Sequence, residues 1–265
     1  MSQPLQPFLH DLVTVLAAPT QVLSDRTGDL DAAGRPVAEG VLHADVRVLC
    51  TARVEVDGRV GEHIATVTGA GGVTFTALLR DVGVGLGRSA DPQVRLDRER
   101  TVTPGALRER LRLTSVLPQD VPVTVSVAFA GDLASIEAVK AGRPAVPQPL
   151  PDPVGDALTW GGSGVTATLR TDGGRLGLCP DRRTATATWS LLLPATGSVE
   201  VGWSLDLEDE DAVVVAAPAA TPRPARPSTG WARGWTGPWP TWTACGWHGR
   251  PLPRTSSTPP APPGT

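Results

Sequence analysis

The string Gly40-Val41-Leu42-His43-Ala44-Asp45-Val46-Arg47-Val48-Leu49 holds the residue types best suited to chemistry in this 265-residue chain. Read as one strand, its alternation puts His43, Asp45 and Arg47 on a single face. Three complementary polar groups on an otherwise apolar strand allow two readings. The first is an Asp45–Arg47 ion pair packed at a sheet edge or domain interface, where it serves registry. The second is a sugar-contacting cluster, because planar charged groups make the paired hydrogen bonds that hydroxyls want. The structural reading takes precedence, and the trio stands as the candidate ligand or domain-interface cluster.

Few other residues are spaced for chemistry. His10, His43 and His63 fall in no Ser–His–Asp or HExxH pattern, and no Gly-x-Ser-x-Gly occurs. Gly83, Gly85 and Gly87 lack the Lys-Ser/Thr of a phosphate cradle, so a flexible connection is the better reading. Glycoside hydrolysis needs two carboxylates with separated pKa values. Asp25 with Asp29, and the run Glu208 to Asp211, are candidates by type only. Both read as solvated turn residues. Cys50, Cys179 and Cys245 show neither metal spacing nor a disulfide framework, which suits the cytoplasm. No metal or cofactor is expected.

The elements that must position these residues read as strands. Apolar alternation runs through Val41 to Asp57, Gln93 to Thr103, Leu107 to Leu117 and Val121 to Ala130. Gly, Pro and Asp turns separate the segments, as at Asp57-Gly58 and Pro104-Gly105. Gln21 to Ser24 reads as an edge piece and Asp132 to Lys140 as a helical turn or a bulged strand. Arg143 to Val154, with five prolines, reads as a linker or crossover. Further strands are expected from Ala157 to Leu207 and at Val213 to Ala217. A dozen or more strands without regular helices predict an all-β, two-sheet antiparallel sandwich over residues 1–217.

Charge narrows the function classes. Before residue 218 the chain carries 19 Lys and Arg against 27 Asp and Glu, which argues against a nucleic-acid surface. No apolar run approaches the ~18 residues of a membrane span, and Met1 to Pro7 has no basic leader pattern.

The segment 218–265 differs in kind. Trp231, Trp235, Trp239, Trp242 and Trp247 are five of the chain's eight tryptophans, and no Asp or Glu follows Asp211. Their neighbours are Gly, Pro, Thr and Arg, which build no core, so a disordered tail is expected. Tryptophan has one codon, TGG. Read one base earlier, each becomes Leu, Met or Val, and the spacings of 4, 4, 3 and 5 become an apolar helical stripe. Trp242 to Trp247 back-reads as Leu-Asp-Gly-Leu-Arg-Met. Arg254 to Thr265 back-reads as Glu-Asp-Val-Phe-Asp-Ala-Ala-Gly-Ala-Pro-Trp-Tyr. The expectation is a frameshift between about Asp211 and Gly230.

Leu9-His10-Asp11-Leu12-Val13-Thr14-Val15-Leu16, Ala18-Pro19-Thr20, Gly40 to Leu49, and Arg100-Thr101-Val102-Thr103-Pro104 with Leu107-Arg108-Glu109 together resemble a known family. It is the N-terminal domain of bacterial glycogen debranching enzymes (amylo-α-1,6-glucosidase-like proteins). The family's form at 40–49 is Gly-aromatic-x-x-Asp-Thr-Arg-x-Leu. This chain keeps Gly40, Asp45, Arg47 and Leu49, and has Val46 in place of Thr. The resemblance implies a large β-sandwich of the mutarotase-like kind that precedes a catalytic (α/α)6 barrel carrying the acid and base carboxylates. The back-read strings look like the segments that open that barrel. The expected function is thus a non-catalytic domain in α-glucan metabolism, with the barrel as its partner and at most weak contact with glucan. The alternatives are a free-standing carbohydrate-binding sandwich, with Trp160, Trp189 or Trp203 as stacking platforms, and a protein-interaction domain.

Overall fold

The computed structural model describes residues 8–80, 82, 91–210 and 212. The Gly83, Gly85 and Gly87 loop, the strand expected at Val213 to Ala217 and the tryptophan-rich tail lie outside these residues. Among the described residues there are seventeen strands and one short helix. In chain order the strands are β1 (Val13–Ala17), β2 (Thr20–Ser24), β3 (Leu30–Asp31), β4 (Gly40–His43), β5 (Val46–Leu49), β6 (Thr51–Val56), β7 (Glu62–Gly69), β8 (Gly72–Leu79), β9 (Val94–Thr103), β10 (Ala106–Ser115), β11 (Val121–Ala130) and β12 (Ala134–Ser135). After helix α1 (Ile136–Lys140) come β13 (Ala157–Gly162), β14 (Val165–Asp172), β15 (Arg175–Leu178), β16 (Ala185–Leu193) and β17 (Ser198–Asp209).

The protein is all-β, as the alternation predicts, and every ladder between strands is antiparallel. One layer is a seven-stranded sheet in the order β13-β14-β17-β10-β9-β8-β7. The second layer is divided, which alternation alone did not reveal. It consists of two five-stranded sheets, β1-β2-β4-β5-β12 and β15-β16-β11-β6-β3. Both pack on the seven-stranded sheet. Trp160 of β13 donates to the Val48 carbonyl of β5 at 3.1 Å, and Phe129 of β11 meets Trp203 of β17 edge to face with ring centroids 4.9 Å apart.

The chain crosses directly between the two smaller sheets four times, from β2 to β3, β3 to β4, β5 to β6 and β11 to β12. The last two crossings lie at Cys50 and at residues 131–133. These two are stitched together: Cys50 N–H donates to the Ala130 carbonyl at 2.8 Å, and its thiol points to the same oxygen at 3.2 Å. Burial, with the Asp132 carboxylate adding to it, pushes that thiol's pKa up to about 12, so Cys50 is an inert small core residue. Gly131 lets the crossing lie flat, because a Cβ there would meet both Trp160 Nε1 and the Val48 oxygen at 2.7 Å.

The core follows the two-residue period. Val121, Val123, Val125, Val127 and Phe129 of β11 point inward and are buried. They face Leu107, Leu111 and Leu113 of β10 in one continuous apolar cluster. The Gln21 to Ser24 segment is not an edge piece, since β2 lies between β1 and β4. The Asp132 to Lys140 segment resolves into a short strand and one helical turn, with Ser135 Oγ accepting from Ala138 N–H as N-cap.

Candidate functional site

The string Gly40 to Leu49 does not form one strand. Ala44 takes a left-handed backbone (φ 49°), and the chain reverses at Ala44-Asp45 to form the β4–β5 hairpin. The turn contains neither Gly nor Asn, so the strand period ran through it unmarked. His43, Asp45 and Arg47 therefore occupy three different environments.

His43 closes β4 and is buried. Gly105 N–H donates to Thr20 Oγ1 at 2.9 Å, and Thr20 Oγ1 lies 2.9 Å from His43 Nδ1. Thr20 Oγ1 thus bridges the Gly105 N–H and the imidazole, and it can donate to Nδ1 or accept from it according to the tautomer. Burial pulls the imidazole pKa below its ordinary value, with Asp209 acting weakly in the opposite direction. The histidine thus ties β4 to the β9–β10 turn in its neutral form. Asp45 is exposed, and its backbone oxygen accepts from Ile136 N–H at 2.7 Å.

Arg47 is fully buried. Its partner is Asp132, eighty-five positions along the chain, and not Asp45. Nε donates to Oδ1 at 3.1 Å and Nη2 to Oδ2 at 2.6 Å, the paired fork geometry that arginine favours. Nη1 donates to the carbonyls of Val37 at 3.0 Å and Glu39 at 3.3 Å. Gly40 makes room for this side chain. Its φ of 149° lies in the region that favours glycine, and a Cβ there would lie 2.5 Å from Arg47 Cδ. The expected Asp45–Arg47 pair does not form; Arg47 pairs with Asp132 instead and closes the seam between the two smaller sheets.

Beside Asp132 an open cleft of about 320 Å³ follows the seam, with Arg143, Pro147, Gln148 and Arg183 among its walls. The proline-rich segment builds one side. Gln148 N–H donates to the Gly131 carbonyl at 2.8 Å, and Leu150 N–H to the Arg182 carbonyl at 2.7 Å. Arg183 Nη1 donates to the Pro147 carbonyl at 2.6 Å. The segment read as a crossover is therefore pinned on both sides.

A second charged network lies in the interior and is larger than the first. Arg98 and Arg100 project inward from β9, and Glu109 projects inward from β10, where it pairs with Arg100 in the ladder. Arg98 donates through Nε and Nη2 to Glu109 Oε1, at 3.0 and 2.9 Å. Arg100 does the same to Oε2, at 2.8 and 2.6 Å. Asp29 is not a solvated turn residue. It is buried, takes Arg98 Nη1 on Oδ1 and receives Val54 N–H on the same oxygen at 3.2 Å. The turn before it is shaped by Asp25, whose Oδ1 accepts from the backbone and hydroxyl of Thr27 and from Asp29 N–H.

These four groups carry two positive and two negative charges. Burial alone would raise the Glu109 pKa, but Arg100 and then Arg98 outweigh it and hold the carboxyl below its ordinary value. Asp29 goes the other way: burial dominates over its contacts with Arg98 and raises it. The sequence held a usable signal here. The same alternation that buries Val94, Leu96 and Val102 buries Arg98 and Arg100, and it places Glu109 in phase with Leu107 and Leu111. Two inward cations require inward carboxylates.

The three tryptophans of the folded region are core residues. Trp160, Trp189 and Trp203 are all buried, and Trp189 donates to the Asp172 carbonyl at 2.7 Å. None presents an open ring face for a sugar. Among the described residues no cluster of three or more His, Cys, Asp or Glu side chains is arranged for a metal ion, and no helix is long and apolar enough to cross a membrane.

The divided two-layer architecture is that of a mutarotase-like β-sandwich. A galactose mutarotase-like protein from Lactobacillus casei superimposes with a TM-score of 0.50 at 9% identity, covering 74% of this chain and 100% of that one. A chain described as a kojibiose phosphorylase from the human microbiome aligns at 10% identity with a TM-score of 0.41; the match covers 78% of this chain and 27% of that much longer one. The family described as the N-terminal domain of (some) glycogen debranching enzymes matches residues 15–204, and the chain belongs to it. No curated protein sequence matches.

Proposed function

We propose that this chain is the non-catalytic β-sandwich of a glycogen debranching enzyme, which works in α-glucan metabolism beside a separate catalytic barrel. Family membership over residues 15–204 supports the setting. One observation carries the non-catalytic reading: Asp29, Glu109 and Asp132 are each held by a guanidinium inside the fold. Glycoside hydrolysis needs two carboxyls facing one glucan-accessible space, one of them protonated. Glu109 is held ionised instead, and it lies between sheets, where a chain of glucose cannot reach. The buried tryptophans argue against a free-standing sugar-binding sandwich that stacks on Trp160, Trp189 or Trp203. The unpaired Cys50 and Cys179 fit a cytoplasmic protein. The purified chain should release no glucose from a branched limit dextrin; turnover that survives removal of contaminants would refute the reading.

The out-of-frame origin of the segment after Asp211 belongs to the same proposal. The family match stops at residue 204 and the last strand among the described residues at Asp209, close to where acidic residues cease. Nucleotide sequencing checks it. A single-base change between the codons of Asp211 and Gly230 should open a frame that runs past Thr265, and its absence would end the idea.

A further inference from the structure

We propose that the cleft at the seam between the two smaller sheets binds a phosphate group, carried on a small sugar. The phosphate part stands on the cleft itself, and the sugar part rests on the proposed role in α-glucan metabolism. The cleft, at about 320 Å³, is within the size range of small-molecule sites. Among the described residues that line it the one carboxylate is Asp132, and Arg47 occupies both of that group's oxygens. Two guanidiniums face the same space. Arg143 makes no side-chain hydrogen bond among the described residues, and Arg183 commits only Nη1, to the Pro147 carbonyl. Asp181, which neighbours Arg183 and partly offsets its charge, and Asp152 do not line the cleft, so Arg143 leaves it with a positive balance. Asp181 accepts from the backbone of Arg183 and Thr184, and Asp152 pairs with Arg182.

The cleft is therefore locally positive in a folded region whose overall charge is negative. Arginine forks match the oxygens of a phosphate better than they match neutral hydroxyls. Ala134, Ala138 and the proline rings supply apolar wall for a sugar ring. The wall is preorganised, because Gln148 and Leu150 are fixed by backbone hydrogen bonds, so little ordering opposes binding.

Calorimetric titration of the full chain at constant ionic strength tests this, with inorganic phosphate, glucose 1-phosphate and glucose as the three probes. Phosphate should saturate with a Kd of about a millimolar, glucose 1-phosphate should bind several-fold tighter, and glucose alone should not bind. Arg143→Gln should weaken phosphate about tenfold without lowering the melting temperature, since Arg143 supports nothing else; Arg183→Gln should weaken it similarly. An absence of saturable phosphate binding, or binding unchanged in both variants, overturns the site. Equal affinity for phosphate and glucose 1-phosphate overturns the sugar part. These outcomes are separate from hydrolysis: glucose released from limit dextrin would remove the non-catalytic role and leave the Arg143 dependence of phosphate binding as it stands.

Discussion

Arg47 and Asp132 face each other across the seam where the chain passes between two sheets, joined by two hydrogen bonds of 3.1 and 2.6 Å. Arg47 lies in the β4–β5 hairpin and Asp132 in the crossing from β11 to β12, so the pair fixes how the two five-stranded sheets abut. Removing one partner leaves an uncompensated buried charge. Arg47→Ala or Asp132→Ala should cost about 3–5 kcal/mol in urea unfolding, whereas the exposed pair Arg80–Glu62 should cost under about 1 kcal/mol when broken. A loss below about 1 kcal/mol at Arg47 would show that the pair does not hold the seam.

The Glu109 network predicts a response to acid. The folded-state pKa of Glu109 lies below the ordinary 4.5, so its contribution is complete above that value and is lost as pH falls through the lowered one. Asp29 opposes this: its folded pKa is raised, so its contribution is present below 3.8 and is lost as pH rises through the folded value. Unfolding free energy followed from pH 6 downward should decline, and Glu109→Gln should flatten that decline while lowering stability by a few kcal/mol. An unchanged acid profile in Glu109→Gln would place the titrating group elsewhere.

His43 predicts a second, separate window. Its folded pKa lies below the ordinary 6.5, so the unfolded chain takes up the proton first. The neutral histidine's contribution is complete above 6.5 and declines as pH falls from 6.5 toward the folded value. Urea midpoints should therefore drop between pH 7 and pH 5.5, and His43→Gln should remove that drop.

Gly28 sits under the charged network at φ 91°, and a Cβ there would lie 2.6 Å from the Phe75 ring. Its carbonyl also accepts from Arg100, and Phe75 packs beneath that same guanidinium, 5.2 Å from the ring centroid. Gly28→Ala should destabilise by about 1–3 kcal/mol, combining backbone strain with overpacking. Gly58, at φ 71° with open space around it, carries only the strain, and Gly58→Ala should cost less.

The strands were legible in the sequence because each buries one face. Val121 to Ala130 was read with its true bounds, and Pro104-Gly105 was read as the turn between β9 and β10. The division of the second layer was not legible. It depends in part on the crossing at Cys50, where the β5 pattern runs into β6 without a Gly or Pro to mark it. Arg47 was singled out with the wrong partner, since a contact spanning eighty-five residues leaves no local pattern. Asp29 was read as solvated because turn composition describes the backbone and says nothing of what packs over it.

Whether the buried carboxylates serve architecture or hydrolysis is decided most directly by glucose release from limit dextrin, measured on the wild-type chain beside Glu109→Gln and Asp29→Asn. All three should release no glucose above an enzyme-free blank, while the two variants melt at lower temperature than the wild type. Wild-type turnover that persists through purification and disappears in a still-folded Glu109→Gln would contradict the non-catalytic role.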